Sequence, residues 1–246
     1  MSIDAVLFDW GGTLTPWLPP DAARWRRIAR RLAPGDAVRV AAALVEADEQ
    51  VWQRARLQHR SGTVAEIFAA AGIEPTPAAY QVFAAEMEPT TYTDPEVPAL
   101  LRALRERDIR VGVLSNTTWT RAHHEQIFAR DGVLDLIDGA VYSSEIEWTK
   151  PHPAAFRAAM SAVGVADPGR CVFVGDRTFD DIHGAGSLGM RTVLVPHSAI
   201  PPQQRGHTDG VPDAVVQRLS ELLAVVDGWR SDPPPENRDE RSAAST

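Results

Sequence analysis

The stretch AVLFDWGGTLTPW, residues 5–17, decides the fold. Residues 3–8 form a short apolar run that reads as a strand buried on both faces, and it delivers Asp9 into a glycine-threonine turn. A carboxylate placed at a strand end in this way looks like a nucleophile. Two residues further on, where a second carboxylate would complete an acid-base pair, the chain carries Gly11.

Beyond this turn the pattern becomes helical, with helices expected over 21–32, 36–59, 63–71 and 76–87 and breaks at APGD, SG and GIEPTP. Alternation then resumes. PEVPALLRALRERD reads as a helix, IRVGVL as a strand, TRAHHEQIFAR as a helix and GAVY as a short strand; PAAFRAAMSAVG, CVFVG, DDIHGAGSLG and RTVLV continue the alternation. Strands and helices of this length imply right-handed crossovers and a parallel sheet covered on both faces. The expected fold is therefore α/β: a Rossmann-like three-layer core from residues 1–16 and 93–228, with an all-helical cap, 17–92, inserted after the first strand. A last helix is expected over 214–226. The end, 229–246, is rich in proline and charge and is expected to be disordered.

With 246 residues the chain suits one large domain carrying an insertion. A net charge of −8 and a pI near 5.4 disfavour nucleic acid or an anionic membrane as partner, since both demand a basic footprint. Cys171 is the only cysteine, so no internal disulfide can form, and a reducing cytoplasm fits. No secretory segment is read at the start, and no run is long enough to span a membrane. The sequence does not disclose an oligomeric state.

Ligands of open parallel sheets gather beyond the carboxyl ends of the strands. Three expected strands end in polar groups: Asp9, Ser115 with Asn116, and Gly175 with Asp176. Each alone could simply cap the following helix. Their order and spacing resemble the haloacid dehalogenase superfamily of hydrolases, in its helical-cap branch. Asp9 with Gly12-Thr13 matches the first motif, Ser115 the second, Lys150 in SSEIEWTKPHPAAF the third, and Asp176, Asp180 and Asp181 the acidic fourth. The resemblance runs from about residue 3 to 226.

It implies a hydrolase of small phosphorylated compounds in which Asp9 attacks phosphorus and forms an aspartyl-phosphate. Thr13, Ser115, Asn116 and Lys150 would hold the phosphoryl oxygens. By the same resemblance Mg²⁺ is the cofactor. Its ligands would be Asp9, the backbone carbonyl of Gly11, Asp176 and, as ligand or support, Asp181, with Asp180 next to it less central. Lys150 is the only lysine of the 25 basic residues, and ammonium and guanidinium are poorly interchangeable at a phosphate site.

Most phosphatases of the family use an aspartate at the position of Gly11 to protonate the leaving group, help worth roughly 10²–10⁴-fold. Three explanations stay open. The leaving group departs unassisted, as from an acyl phosphate; a cap side chain, His59, Glu46, Asp48 or Glu49, supplies the proton; or the protein binds phospho-ligands with little turnover. A dehalogenase is disfavoured by the three acids of the fourth motif. Phosphonatase chemistry, which needs a cap lysine, is disfavoured because the cap has none.

Other signals read as structural. His123 and His124 are adjacent and lack the spacing of a helical metal pair. Trp17, Trp25 and Trp52 read as cap core. Trp10 packs under the cap or faces substrate, His152 sits in a loop between two prolines, and Tyr92 and Asp94 mark the return to the core. GAGSLGM is discounted as a nucleotide loop because it does not join a strand to a helix.

Overall fold

A computed structural model describes residues 2–18, 21, 23–196 and 210–231. The first strand, β1 (Ala5–Phe8), is buried along its whole length and is paired in parallel on both sides. One neighbour is β2 (Arg110–Ser115) and the other is β4 (Cys171–Gly175). The remaining strands extend the sheet outward: β3 (Gly139–Tyr142) beside β2, then β5 (Arg191–Leu194) and β6 (Ala214–Val215) beyond β4. The order β3-β2-β1-β4-β5-β6 puts the three strands with polar ends side by side in the middle.

Side-chain alternation sends the two faces of the sheet into different cores. Val6, Phe8, Val111, Val113, Val172 and Val174 pack with Leu100, Leu101 and Leu104 of α5 (Val97–Arg105), Phe128 of α6 (Arg121–Arg130) and Val226 of α9 (Leu222–Ser231). On the other face, Ala5, Leu7, Leu114 and Phe173 pack with Phe156, Ala159 and Met160 of α7 (Pro153–Ala162) and with Ala185 of α8 (Gly184–Gly186). Helix, sheet and helix make the three layers of a Rossmann-like α/β core.

Four helices between β1 and α5 bury a cluster of their own. They are α1 (Arg24–Leu32), α2 (Ala37–Gln58), α3 (Val64–Ala70) and α4 (Pro77–Met87), with Ile28, Leu44, Phe68 and Met87 at its centre. Local signals set their ends. Thr63 and Thr76 accept the first free amides of α3 and α4, and Pro77 fills the first turn, where no amide partner is needed. Trp119, in the loop after β2, packs against this cluster and against the sheet core alike.

Three expectations change. Residues 214–215 form an edge strand, with Asp213 N donating to Thr192 O and Val216 N to Leu194 O, so the last helix starts at Leu222 rather than 214. That helix runs on through Trp229, Arg230 and Ser231, the first residues of the segment expected to be disordered; residues 232–246 lie outside the described residues. The helix expected in DDIHGAGSLG begins as a wide π-turn over Thr178–His183 before the short α8.

Candidate active site

The sequence around Asp9 folds as a tight turn because three amides converge on one carbonyl: Thr13 N, Leu14 N and Thr15 N all donate to Trp10 O. Asp9 N donates to Val174 O, which fastens the residue to the end of β4. Gly12 has φ +95, and a Cβ there would lie 2.7 Å from Asp176 Oδ2, so only glycine lets the first and fourth motifs come this close. Gly11 differs. A Cβ at that position meets nothing within 4 Å.

Lys150 bridges the strand ends. Its Nζ lies 2.5 Å from Asp9 Oδ1 and 2.7 Å from Asp181 Oδ1, with the Phe173 ring beneath it at 5.3 Å. Exposure is 7% for Asp9, 3% for Lys150, 6% for Asp176 and 0% for Asp181, so these charges meet in a place nearly closed to water. Asp181 also accepts from Arg177 N at 2.9 Å, which closes the turn of the fourth motif.

Carboxylate oxygens of Asp9, Asp176 and Asp181 lie within 4.8 Å of one another. Both oxygens of Asp176 are shut from solvent without a hydrogen bond, with Arg177 Nε 3.4 Å from Oδ2. Three acids against the Lys150 ammonium and the Arg177 guanidinium leave one negative charge in excess, and the ligand atoms are hard oxygens. The residues fit a hard divalent cation such as Mg²⁺.

A family model for haloacid dehalogenase-like hydrolases matches residues 3–189. The chain belongs to the haloacid dehalogenase-like hydrolases. Among curated relatives, it is 34% identical over 132 residues to a glyceraldehyde 3-phosphate phosphatase of Methanopyrus kandleri, covering 54% of this chain and 55% of that protein. The chain thus spans about half the length of the curated relatives it matches. Among solved structures, a 2-haloacid dehalogenase of Pseudomonas syringae superposes with a TM-score of 0.64 at 26% identity, covering 92% of this chain and 99% of the other. A phosphatase of the same superfamily from Thermococcus onnurineus reaches 0.63 at 19% identity over 92% and 99%.

In this haloacid dehalogenase-like site, burial dominates the electrostatics. It pushes the Asp9 carboxyl up to about 6, opposed by the Lys150 charge and reinforced by Asp181. Asp176 is held well above the usual carboxylate range, first by burial and then by Asp9 and Asp181. Burial also raises Asp180, to about 6, although that residue is partly exposed and takes no place in the three-acid group. For Lys150 burial acts downward, but the two carboxylates outweigh it and keep the ammonium charged above its ordinary range.

The other residues read from sequence fall on both sides. Ser115 is buried at the end of β2, and the Thr13 hydroxyl is buried without a partner. The Asn116 side chain is engaged with the backbone of Lys150. Its Nδ2 donates to Lys150 O at 3.0 Å and its Oδ1 accepts from Lys150 N at 2.8 Å, so its side chain clamps the lysine backbone. Asn116→Ala is expected to lower kcat on the order of 10²-fold, the usual cost of a misplaced reacting group. Steady-state kinetics on an aryl phosphate checks this, and an unchanged kcat would show that Lys150 keeps its place unaided.

Of the four cap candidates, three are engaged within their own helical unit. Asp48 accepts from Trp25 and Trp52, Glu46 from Gln50, and Glu49 pairs with Arg56. Trp10 is buried edge-on to Trp119 at 5.3 Å and His124 at 4.6 Å. His124 stacks on Tyr142, and burial drives its pKa down to about 3, so it stays neutral and structural. His152 caps α7 by accepting from Ala154 N. Sequence reasoning missed Trp119, whose ring joins Trp10 to Phe83 of α4; its position just after the second motif was the available signal.

Proposed function

We propose that this chain is a Mg²⁺-dependent phosphatase of small phosphorylated compounds, acting through an aspartyl-phosphate at Asp9. The observation that carries this reading is the buried contact of Lys150 with Asp9 and Asp181 beside the Asp176 carboxylate, which accepts no hydrogen bond among the described residues. Asp9 is the nucleophile towards phosphorus. Lys150 orients its carboxylate and neutralises charge on the phosphoryl oxygens, while the Thr13 hydroxyl and Ser115 offer donors to the same oxygens. Asp9, Asp176, Asp181 and the Gly11 carbonyl would hold Mg²⁺, which supplies Lewis-acid stabilisation of the transferring group. The α1–α4 unit serves as the cap that chooses the substrate and excludes water. A cytoplasmic setting belongs to the same reading and is supported by the single, buried, unpaired Cys171.

Relatives named as phosphatases of glyceraldehyde 3-phosphate and of phosphoserine support the substrate class. The dehalogenase neighbour supplies a second reading, which the buried group of three carboxylates, Asp9, Asp176 and Asp181, disfavours. Release of phosphate from acyl, aryl and alkyl phosphates, with Mg²⁺ and with chelator, beside halide release from 2-chloropropionate, separates the two. Metal-dependent phosphate release supports the proposal. Absence of both activities leaves a phospho-ligand binder.

Metal binding has a readout of its own. Mg²⁺ at about a hundred times its Kd is expected to stabilise the protein by about 2.7 kcal/mol, roughly 5–11 °C for a chain of this size. The Asp9 and Asp176 carboxyls are raised and therefore hold protons that compete with metal, so the shift is expected to be larger at pH 7.5 than at pH 5. Differential scanning fluorimetry checks both points; equal shifts at the two pH values would place the metal elsewhere.

A further inference from the structure

Gly11 leaves the leaving group without its usual proton donor, and among the four cap candidates His59 alone reaches out of the helical unit. It ends α2 in the left-handed conformation, with φ +54. Its carbonyl accepts from Thr149 N at 2.9 Å, next to Lys150. The following residues continue the seam: Arg60 bridges to Trp148 and pairs with Glu147, and Ser61 N donates to Glu147 O. The loop carrying Lys150 therefore fixes where His59 sits.

The ring faces the fourth motif. Its centroid is 6.3 Å from that of Phe179, two residues before Asp181. Nδ1 is closed to solvent and has no hydrogen-bond partner among the described residues. A buried ring nitrogen without a partner is costly, and an oxygen of a bound ligand would satisfy it.

We propose that His59 is the proton donor and acceptor that replaces the carboxylate absent at Gly11, an inference that rests on the phosphatase reading above. As Asp9 bonds to phosphorus, the bond from phosphorus to the leaving-group oxygen breaks. That oxygen keeps the electron pair and takes a proton from the His59 imidazolium. The neutral imidazole then takes a proton from water as the water oxygen attacks phosphorus, which releases inorganic phosphate and restores the Asp9 carboxylate and the imidazolium.

The test is the dependence of kcat/KM on leaving group across substituted phenyl phosphates, from 4-nitrophenyl to 4-methoxyphenyl. It compares wild type, His59→Asn and His59→Asn with Gly11→Asp. Asparagine tolerates the left-handed backbone, so the variant keeps the fold. His59→Asn is expected to lose about 10²-fold or more on the poorest leaving group and only a few-fold on 4-nitrophenyl phosphate. Gly11→Asp, which has open space for its side chain, is expected to restore the poor leaving groups. An equal loss across the series, no loss at all, or a wild type already confined to the best leaving groups would overturn the role of His59 while leaving the phosphatase reading intact. A wild type that releases no phosphate from any member, or an Asp9→Asn variant that still turns over, would overturn the phosphatase reading and this inference with it.

Discussion

Asp9→Asn is expected to abolish phosphate release, by about 10⁴-fold or more, because a neutral amide cannot attack phosphorus. The same change is expected to leave the metal-free protein at least as stable at pH 7.5. The sign follows from the folded carboxyl lying near 6, above its unfolded value of 3.8. A carboxyl raised on folding stabilises the protein below about pH 4, and that contribution is lost as pH rises through 6. At neutral pH the ionised Asp9 is therefore a burden, carried by burial and only partly relieved by Lys150. Melting in chelator at pH 5 and 7.5 checks this. The gain of Asp9→Asn over wild type should be larger at the higher pH, and a variant much less stable than wild type there would mean that the Lys150 contact outweighs desolvation.

Lys150→Met carries the second large effect, on both stability and turnover. Removing the ammonium leaves Asp9 and Asp181 buried together without their shared cation, a loss on the order of 3–5 kcal/mol, or roughly 6–20 °C in Tm. Phosphate release should fall with it, and Lys150→Arg should not restore it, because a planar guanidinium is a poor substitute for a compact point charge. Mg²⁺ is expected to return part of the lost stability by standing against the same carboxylates. Chemical denaturation in chelator measures the first effect. A Lys150→Met variant as stable as wild type would show that the bridge between the strand ends holds nothing together.

Much of this architecture was legible from residues alone where a physical rule is short-ranged. β1, β2 and β4 are apolar runs that each stop at a polar residue, and a parallel sheet brings such ends together. The helices of the α1–α4 unit were legible for the same reason, since Thr63, Thr76 and Pro77 announce their starts. What escaped depends on partners far along the chain. The Asn116 clamp on Lys150 spans 34 residues, and nothing near Asn116 distinguishes an amide that holds backbone from one free to donate to phosphate. β6 is two residues long, and its pairing with β5 is invisible to a pattern that reads through it as helix. The seam of residues 59–61 against 146–149 belongs to the same class: Ser61 donates to Ile146 O from the end of a helix whose sequence gives no sign of that contact.

Gly11 stands where the resemblance leads one to expect a second carboxylate, and its surroundings are simple. The turn around Trp10 O keeps its shape without a side chain there, and the space beside Gly11 stays open. The contacts that hold Asp9 in place are made by the backbone around Trp10 and by Lys150, and none needs a side chain at position 11.

The most direct measurement is a crystal structure with Mg²⁺ and beryllium fluoride, which mimics a phosphoryl group on a carboxylate. Beryllium is expected to be bonded to an Asp9 carboxylate oxygen, with Lys150 Nζ beside a fluorine and Mg²⁺ held by Asp9 and Asp176. A fluoride complex bound elsewhere, with the Asp9 carboxylate bare, would contradict it.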